Sequence, residues 1–267
     1  MSNKTLIILG MHRSGTSLTA RWLQECGLHI GERLAGSGTG NKDGHFEDLD
    51  FHDIHEESFV QRKIPYGGIE KIKPLELTEY EILKLNFLIK FKNEMNHIWG
   101  FKEPRTCLFL EYYNQLIPQA KYYVIYRHYT KVVDSLIRRD IKILIKKHTS
   151  SGQYQRYKFY LNKDKLIHKI NNKANIYLKA WNIYNKKILN HLDKVPSNNF
   201  IINDIENVNS SSVLSSLNQW QFNLNNIPFS KIYNPDLLNE KNINIEFNNK
   251  LLVESNEIIL NLQNLHT

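Results

Sequence analysis

Residues 10–17 read Gly10-Met11-His12-Arg13-Ser14-Gly15-Thr16-Ser17, and both the residue types and their spacing suit the binding of anionic oxygens. The two glycines permit a tight turn, and the amides of such a turn, together with those of a following helix, form a nest for phosphate. Arg13 adds a cation within the loop, and Ser14, Thr16 and Ser17 add hydroxyls. The phosphate loop of nucleoside triphosphatases, G-x-x-x-x-G-K-[ST], requires lysine where this chain has Thr16. The apolar run Tyr122–Arg127 ends in arginine, not in the aspartate that holds Mg²⁺ in such enzymes. Side-chain cations are therefore expected to stand in for both lysine and metal.

Three further groups have chemical potential. Arg127 closes an apolar run and Ser135 follows eight residues later, within the first turns of a predicted helix, so both can face one phosphate. Lys102 ends the run Ile98–Lys102 and is followed by Glu103, Pro104 and Arg105. An acidic segment containing His45, Glu47, Asp48 and His52 comes after the glycine-rich polar loop Gly36–Gly44.

Together these residues resemble the bacterial branch of the sulfotransferase family, whose members carry a G-x-x-R-S-G-T-S loop and a later strand-Arg-x-x-x-x-V-x-x-S-L pattern. Here that pattern is Arg127, Val132, Ser135 and Leu136. Lys102-Glu103-Pro104 is similar to the family's Lys-acid-Pro motif, and Gly44-His45-Phe46-Glu47-Asp48 to the segment after its first helix. The likeness covers roughly residues 5 to 140. It implies a P-loop-type three-layer α/β fold, with a central, mostly parallel sheet flanked by helices and a helical C-terminal part. It further implies 3′-phosphoadenosine 5′-phosphosulfate as sulfuryl donor, adenosine 3′,5′-bisphosphate as product, and no metal cofactor. The 5′-phosphosulfate would lie at His12, Arg13, Ser14, Gly15, Thr16 and Ser17, and the 3′-phosphate at Arg127 and Ser135. Lys102, assisted by Arg13, would stabilise the leaving group. Glu47 leads as general base, with His45, Asp48 and His52 as rivals. The chain departs from the family at Tyr129, where members carry proline, and at Asn203, where they carry tyrosine. The glycine-rich basic loop that many cytosolic members close over the adenine is also missing.

The elements that must position these groups are legible in outline. Thr5–Gly10 predicts a strand running into the loop, and Leu18, Trp22 and Leu23 predict the helix after it. Phe46–Phe59 reads as a weak helix, and Thr78 with Glu81 forms a capping-box signal ahead of Ile82, Leu85 and Ile89. Ile98–Lys102, Tyr122–Arg127 and Phe200–Asn203 read as strands. One long helix is expected over about Asp164–Asp193, because Leu166, Ile170, Ala174, Tyr177, Trp181, Tyr184, Ile188 and Leu192 share one face. Further helices are expected over Ser210–Phe222, with serine as cap, and near Leu251–Leu265. Strands alternating with helices imply a parallel sheet whose ligand site lies beyond the strands' carboxyl ends. The chain reads as a single domain over 1–267, with a donor-binding core at about 1–140 and 195–225 and a helical acceptor-side segment at about 141–194.

The chain has 267 residues, a formal charge of +8 and two cysteines. This supports neither a disulfide framework nor a cysteine metal site, and it favours anionic partners. No segment approaches the roughly 18 apolar residues of a membrane span, so a cytoplasmic location is expected, with peripheral membrane contact left open. The basic stretch Arg138–Lys173 interleaves Lys146, Lys147, His148, Arg156 and Lys158 with Tyr154, Tyr157 and Tyr160. Rings with cations suit a glycan or polysaccharide acceptor, and no nucleic-acid partner is expected. Two alternatives remain at this stage: a small-molecule kinase or other nucleoside triphosphate enzyme, and a non-catalytic nucleotide- or RNA-binding module.

Overall fold

A computed structural model describes residues 3–38, 44–65, 68–69, 75–150, 152–233 and 245–265, without the side chains of residues 153–156 and 158. Most of the polar loop Gly36–Gly44 and the side chains of Tyr154, Arg156 and Lys158 thus lie outside the described residues.

Four short apolar runs become strands: β1 (Lys4–Leu9), β2 (Ile98–Lys102), β3 (Lys121–Tyr126) and β4 (Phe200–Asp204). They pair in parallel in the order β2-β1-β3-β4. Their side chains alternate between two buried faces, as a strand's period of two requires. Leu6 and Ile8 of β1 join Tyr123, Ile125 and Ile201 under α1 (Thr16–Glu25) and α8 (Ser210–Gln219). Ile7 and Leu9 join Tyr122, Val124 and Tyr126 on the other face. That face is covered by α2 (Leu49–Gln61), α3 (Glu79–Met95), α4 (Leu110–Leu116), α5 (Tyr129–Thr149), α7 (Ala174–Leu192) and α9 (Asn249–Asn264). The result is the expected α/β architecture of helix, sheet and helix, closed by a helical C-terminal part.

From β1 the chain passes to β2 on one side and returns to β3 on the other, so the sheet's switch point lies at the carboxyl end of β1. Register places Lys102 beside Ile8, and Val124 beside Leu9. Gly10, Lys102 and Arg127 consequently leave the sheet along one edge.

The helices differ from expectation in instructive ways. The α3 capping box is complete: the Thr78 amide donates to Glu81 Oε2 at 2.7 Å, while the Glu81 amide donates to the Thr78 hydroxyl at 3.3 Å. α2 starts three residues later than the apolar pattern suggests, because Phe46 adopts φ 52° and Asp48 caps the helix by accepting from the Asp50 amide. The long helix expected from Asp164 to Asp193 is two, α6 (Gln153–Asn171) and α7, broken at Asn172 and Lys173. α7 is a core helix, with Tyr177, Trp181, Tyr184 and Ile188 fully buried, whereas Tyr157, Tyr160 and Leu161 of α6 are exposed. One straight helix could not serve both surroundings, and the Asn171-Asn172 pair, weak helix formers, allows the break. α8 is capped by Asn209, whose side chain accepts from the Ser212 amide, and not by a serine.

Candidate active site

The loop after β1 turns on its glycines. Gly10 (φ 155°) lies so close to β3 that a Cβ there would come within 2.3 Å of the Ile125 carbonyl oxygen. Gly15 (φ 92°) caps α1 without any side-chain hydrogen bond, and a Cβ there would meet Ile205 Cγ1 at 2.4 Å. Between them Arg13 holds a left-handed φ of 71°, a conformation costly for a residue with a side chain. Its Nε donates to the Ser135 hydroxyl at 2.9 Å. Burial lowers the Arg13 guanidinium to about 10, helped by the nearby charges of Arg139 and Arg127.

Lys102 reaches this loop from the end of β2. Its ammonium is fully buried and donates to Ser17 Oγ and to Glu47 Oε1, each at 3.2 Å. Burial lowers its pKa, opposed by the Glu47 carboxylate. For Glu47 itself burial acts upward, but the charge and hydrogen bond of Lys102 outweigh it and keep the carboxyl below its ordinary value. A cavity of about 60 Å³ lies between the loop residues His12, Arg13, Thr16 and Ser17 on one side and His45, Glu47, Pro104 and Arg139 on the other. His12 is half-buried and lowered to about 4, chiefly by desolvation, so its ring is neutral at pH 7; its buried Nε2 has no hydrogen-bond partner. A second, larger groove of about 650 Å³ between α7 and α9 is lined by none of these residues.

Glu103 and Arg105 do not reach the cavity. Arg105 Nε donates to Glu103 Oε1 at 2.8 Å, and His55 Nδ1 donates to Glu103 Oε2 at 2.5 Å. Burial raises the Glu103 carboxyl, but Arg105 and His55 more than reverse this and hold it far below the usual carboxylate range. His55, whose pKa burial lowers against the pull of Glu103, has Nε2 2.9 Å from the Tyr113 hydroxyl. This buried network begins at the residue after Lys102, and the Glu103 charge acts on that ammonium.

The sequence-predicted residues thus divide. His12, Arg13, Thr16, Ser17 and Glu47 line one cavity with Lys102 behind it, and Ser14 and Gly15 form the turn. Ser135 joins through Arg13. Arg127 stands apart from the cavity: it is nearly buried, and its Nε lies 3.5 Å from Glu206 Oε1. Among the proposed bases, His45 lines the cavity with Glu47, while Asp48 is committed to capping α2 and to Lys92, and His52 pairs with Asp53 at 3.2 Å. Arg139 went unnoticed in the sequence. It follows Ser135 by one helical turn, and i, i+4 spacing on α5 was the available signal. Its Nε and one terminal nitrogen both donate to Asp140 Oδ1 at 3.2 and 3.0 Å. β4 also ends one residue later than expected, in Asp204, whose Oδ1 accepts from the Glu206 amide at 3.0 Å. Among the described residues, the carboxylates Glu32, Asp48 and Asp50 are spaced for a metal ion, but the Lys92 ammonium bonds all three. Both cysteines are free and buried, and no helix among the described residues is long and apolar enough to cross a membrane.

A glycine-bearing loop at the carboxyl edge of a parallel sheet, met by a buried cation from the neighbouring strand, belongs to a P-loop-type α/β fold. Two solved structures share this fold along nearly the whole chain. The sulfotransferase domain from the curacin biosynthetic pathway has 16% identity and a TM-score of 0.53 over 98% of both chains. The sulfotransferase domain from the Synechococcus PCC 7002 olefin synthase has 15% identity and a TM-score of 0.51, over 98% of this chain and 95% of its own. At such identities the likeness is one of fold. No family model and no curated protein matches the sequence.

Proposed function

We propose that this protein transfers a sulfuryl group from 3′-phosphoadenosine 5′-phosphosulfate to an acceptor hydroxyl. The observation that carries this reading is the convergence of Lys102, Ser17 and Glu47 at the phosphate loop, with both contacts of the lysine at 3.2 Å. The acceptor oxygen attacks sulfur while the bond from sulfur to the 5′-phosphate oxygen breaks. Glu47 takes the hydroxyl proton, and adenosine 3′,5′-bisphosphate departs with negative charge that Lys102 and Arg13 stabilise. The donor is a substrate, and the residues present fit it. Gly10 and Gly15 let the loop pack closely on Ile125 and Ile205, where a Cβ would collide, and the unpartnered Nε2 of His12 is a buried polar atom that a bound group would satisfy. The cavity suits a small anionic group such as the sulfuryl moiety, with the 3′-phosphate directed to Arg127 and Ser135. In this reading side chains supply the charge stabilisation, without a metal.

The kinase alternative requires a lysine in place of Thr16 and a magnesium-holding acid. Asp204 is the strand-end aspartate available, but it caps the following turn and belongs to β4, which pairs with β3 and not with β1. For the acceptor, a glycan or polysaccharide hydroxyl is supported by the exposed Tyr157 and Tyr160 on α6, beside the basic end of α5. The two structural neighbours, one from a biosynthetic pathway and one from an olefin synthase, favour a second class: a hydroxyl on a biosynthetic intermediate.

The test is release of adenosine 3′,5′-bisphosphate from the donor, with saccharides in one series of reactions and hydroxyacyl compounds in another. Acceptor-dependent release that Lys102→Ala lowers by about 10²–10³ is expected. Failure of every acceptor in both series, with donor binding also missing, overturns the proposal.

A further inference from the structure

At the rim of the fold two cations converge on one carboxylate. Glu206 lies in the short turn Ile205–Asn207 that follows β4. Its Oε1 is 3.5 Å from Arg127 Nε, and its Oε2 accepts a hydrogen bond from Lys131 Nζ. Arg127 follows the last residue of β3, and Lys131 lies in the first turn of α5. The turn bearing Glu206 is held from two sides. Asp204 Oδ1 accepts from the Glu206 amide, and Ile205 packs against Gly15 of the phosphate loop. The carboxylate is therefore one residue removed from a contact with the loop itself.

An ordinary surface ion pair accounts for Lys131, whose side chain is 45% exposed. It does not account for Arg127, which is 8% exposed at the side chain and has, among the described residues, this one long side-chain bond. A nearly buried guanidinium presents five donors in a planar fork suited to phosphate or carboxylate oxygens, and a single 3.5 Å contact leaves that fork poorly used. A phosphate dianion brings three oxygens and greater charge to the same place and can bond both cations. Carboxylate and phosphate cannot share the position, since like charges repel.

We propose that Glu206 is a displaceable placeholder for the donor's 3′-phosphate, and that Lys131 joins Arg127 in binding that phosphate once the carboxylate is expelled. The inference rests on the donor assignment above. It makes the donor's affinity a difference between two anions competing for one pair of cations. Ligands without a 3′-phosphate leave Glu206 where it is.

The experiment is calorimetric titration of wild type, Lys131→Ala and Glu206→Gln with adenosine 3′,5′-bisphosphate and, in parallel, adenosine 5′-monophosphate. Thermal unfolding of each variant confirms that it is folded. Lys131→Ala is expected to weaken bisphosphate binding by about 5- to 10-fold, through loss of a charge-assisted bond. Glu206→Gln is expected to strengthen it by about 3-fold, in line with the modest worth of an exposed ion pair. Monophosphate binding should not change in either variant. Bisphosphate affinity unaltered by both substitutions, or equal shifts for the two nucleotides, overturns the inference while leaving the donor assignment intact. A wild-type protein that binds no bisphosphate removes the donor assignment, and the placeholder with it.

Discussion

Lys92 and Lys102 are both buried and both face carboxylates, yet their surroundings push them in opposite directions. Lys92 is met by Asp50 at 2.8 Å, Asp48 at 3.0 Å and also Glu32. Burial pulls its ammonium down, but these acids more than compensate and raise it above the ordinary lysine range. Lys102 has one carboxylate and one hydroxyl, both at 3.2 Å, and burial prevails. The first cation is saturated and ties α3 to the N-terminus of α2. The second has fewer and longer contacts and lies against the loop after β1, as the proposed leaving-group role requires. Burial and charge alone do not distinguish structure from function; the completeness of the partners does.

Substituting each lysine breaks the comparison most directly. Lys102→Ala should lower turnover by about 10²–10³, the usual cost of a preorganised charge-stabilising donor, and largely spare binding of adenosine 3′,5′-bisphosphate. Steady-state kinetics set beside calorimetry separates the two effects, and unimpaired turnover would end the leaving-group assignment. Lys92→Met should instead destabilise the fold by about 3 kcal/mol, because three carboxylates lose their common cation. Denaturant unfolding measures that loss, and turnover per folded molecule should persist. A smaller effect is expected at Arg127, where alanine should weaken bisphosphate binding by about 10-fold; unchanged affinity would remove Arg127 from the site.

The weakest expected effect sharpens the saturated side. Burial raises the Glu81 carboxyl, yet its bonds to Arg62 and Thr78 outweigh this and bring it down to about 2. A carboxyl lowered on folding adds stability that is present above its unfolded pKa and lost as pH falls towards the folded value. Wild type should therefore lose stability between about pH 4.5 and 2 more steeply than Glu81→Gln. Parallel slopes in acid unfolding would show that the clamp contributes nothing.

The loop and the strands were readable from sequence because each depends on local pattern. Gly10, Arg13 and Gly15 lie within one turn, and every strand is a short apolar run. Lys102 was found because it ends such a run. Relations between distant segments were not readable. Nothing in the spacing of Asp48 and Lys92 shows that they touch, so Asp48 stood as a rival to Glu47 for the base. Glu206 was invisible for the same reason, since its partners Arg127 and Lys131 come from another strand and helix. Arg139 and Lys131 were accessible in principle, lying four residues beyond Ser135 and Arg127. The break between α6 and α7 was hidden because the apolar spacing continues through it, although the two helices meet different surroundings, with Tyr157 exposed and Trp181 buried.

The loop Gly10–Ser17, with Arg13 within it and the Lys102 ammonium against Ser17, is proposed to bind a bisphosphorylated adenosine. Calorimetric titration of the wild-type protein with adenosine 3′,5′-bisphosphate, in chelator and without magnesium, tests it against ATP under the same conditions. Saturable binding of the bisphosphate with little response to ATP is the predicted result. Magnesium-dependent binding of ATP, with none of the bisphosphate, would contradict it.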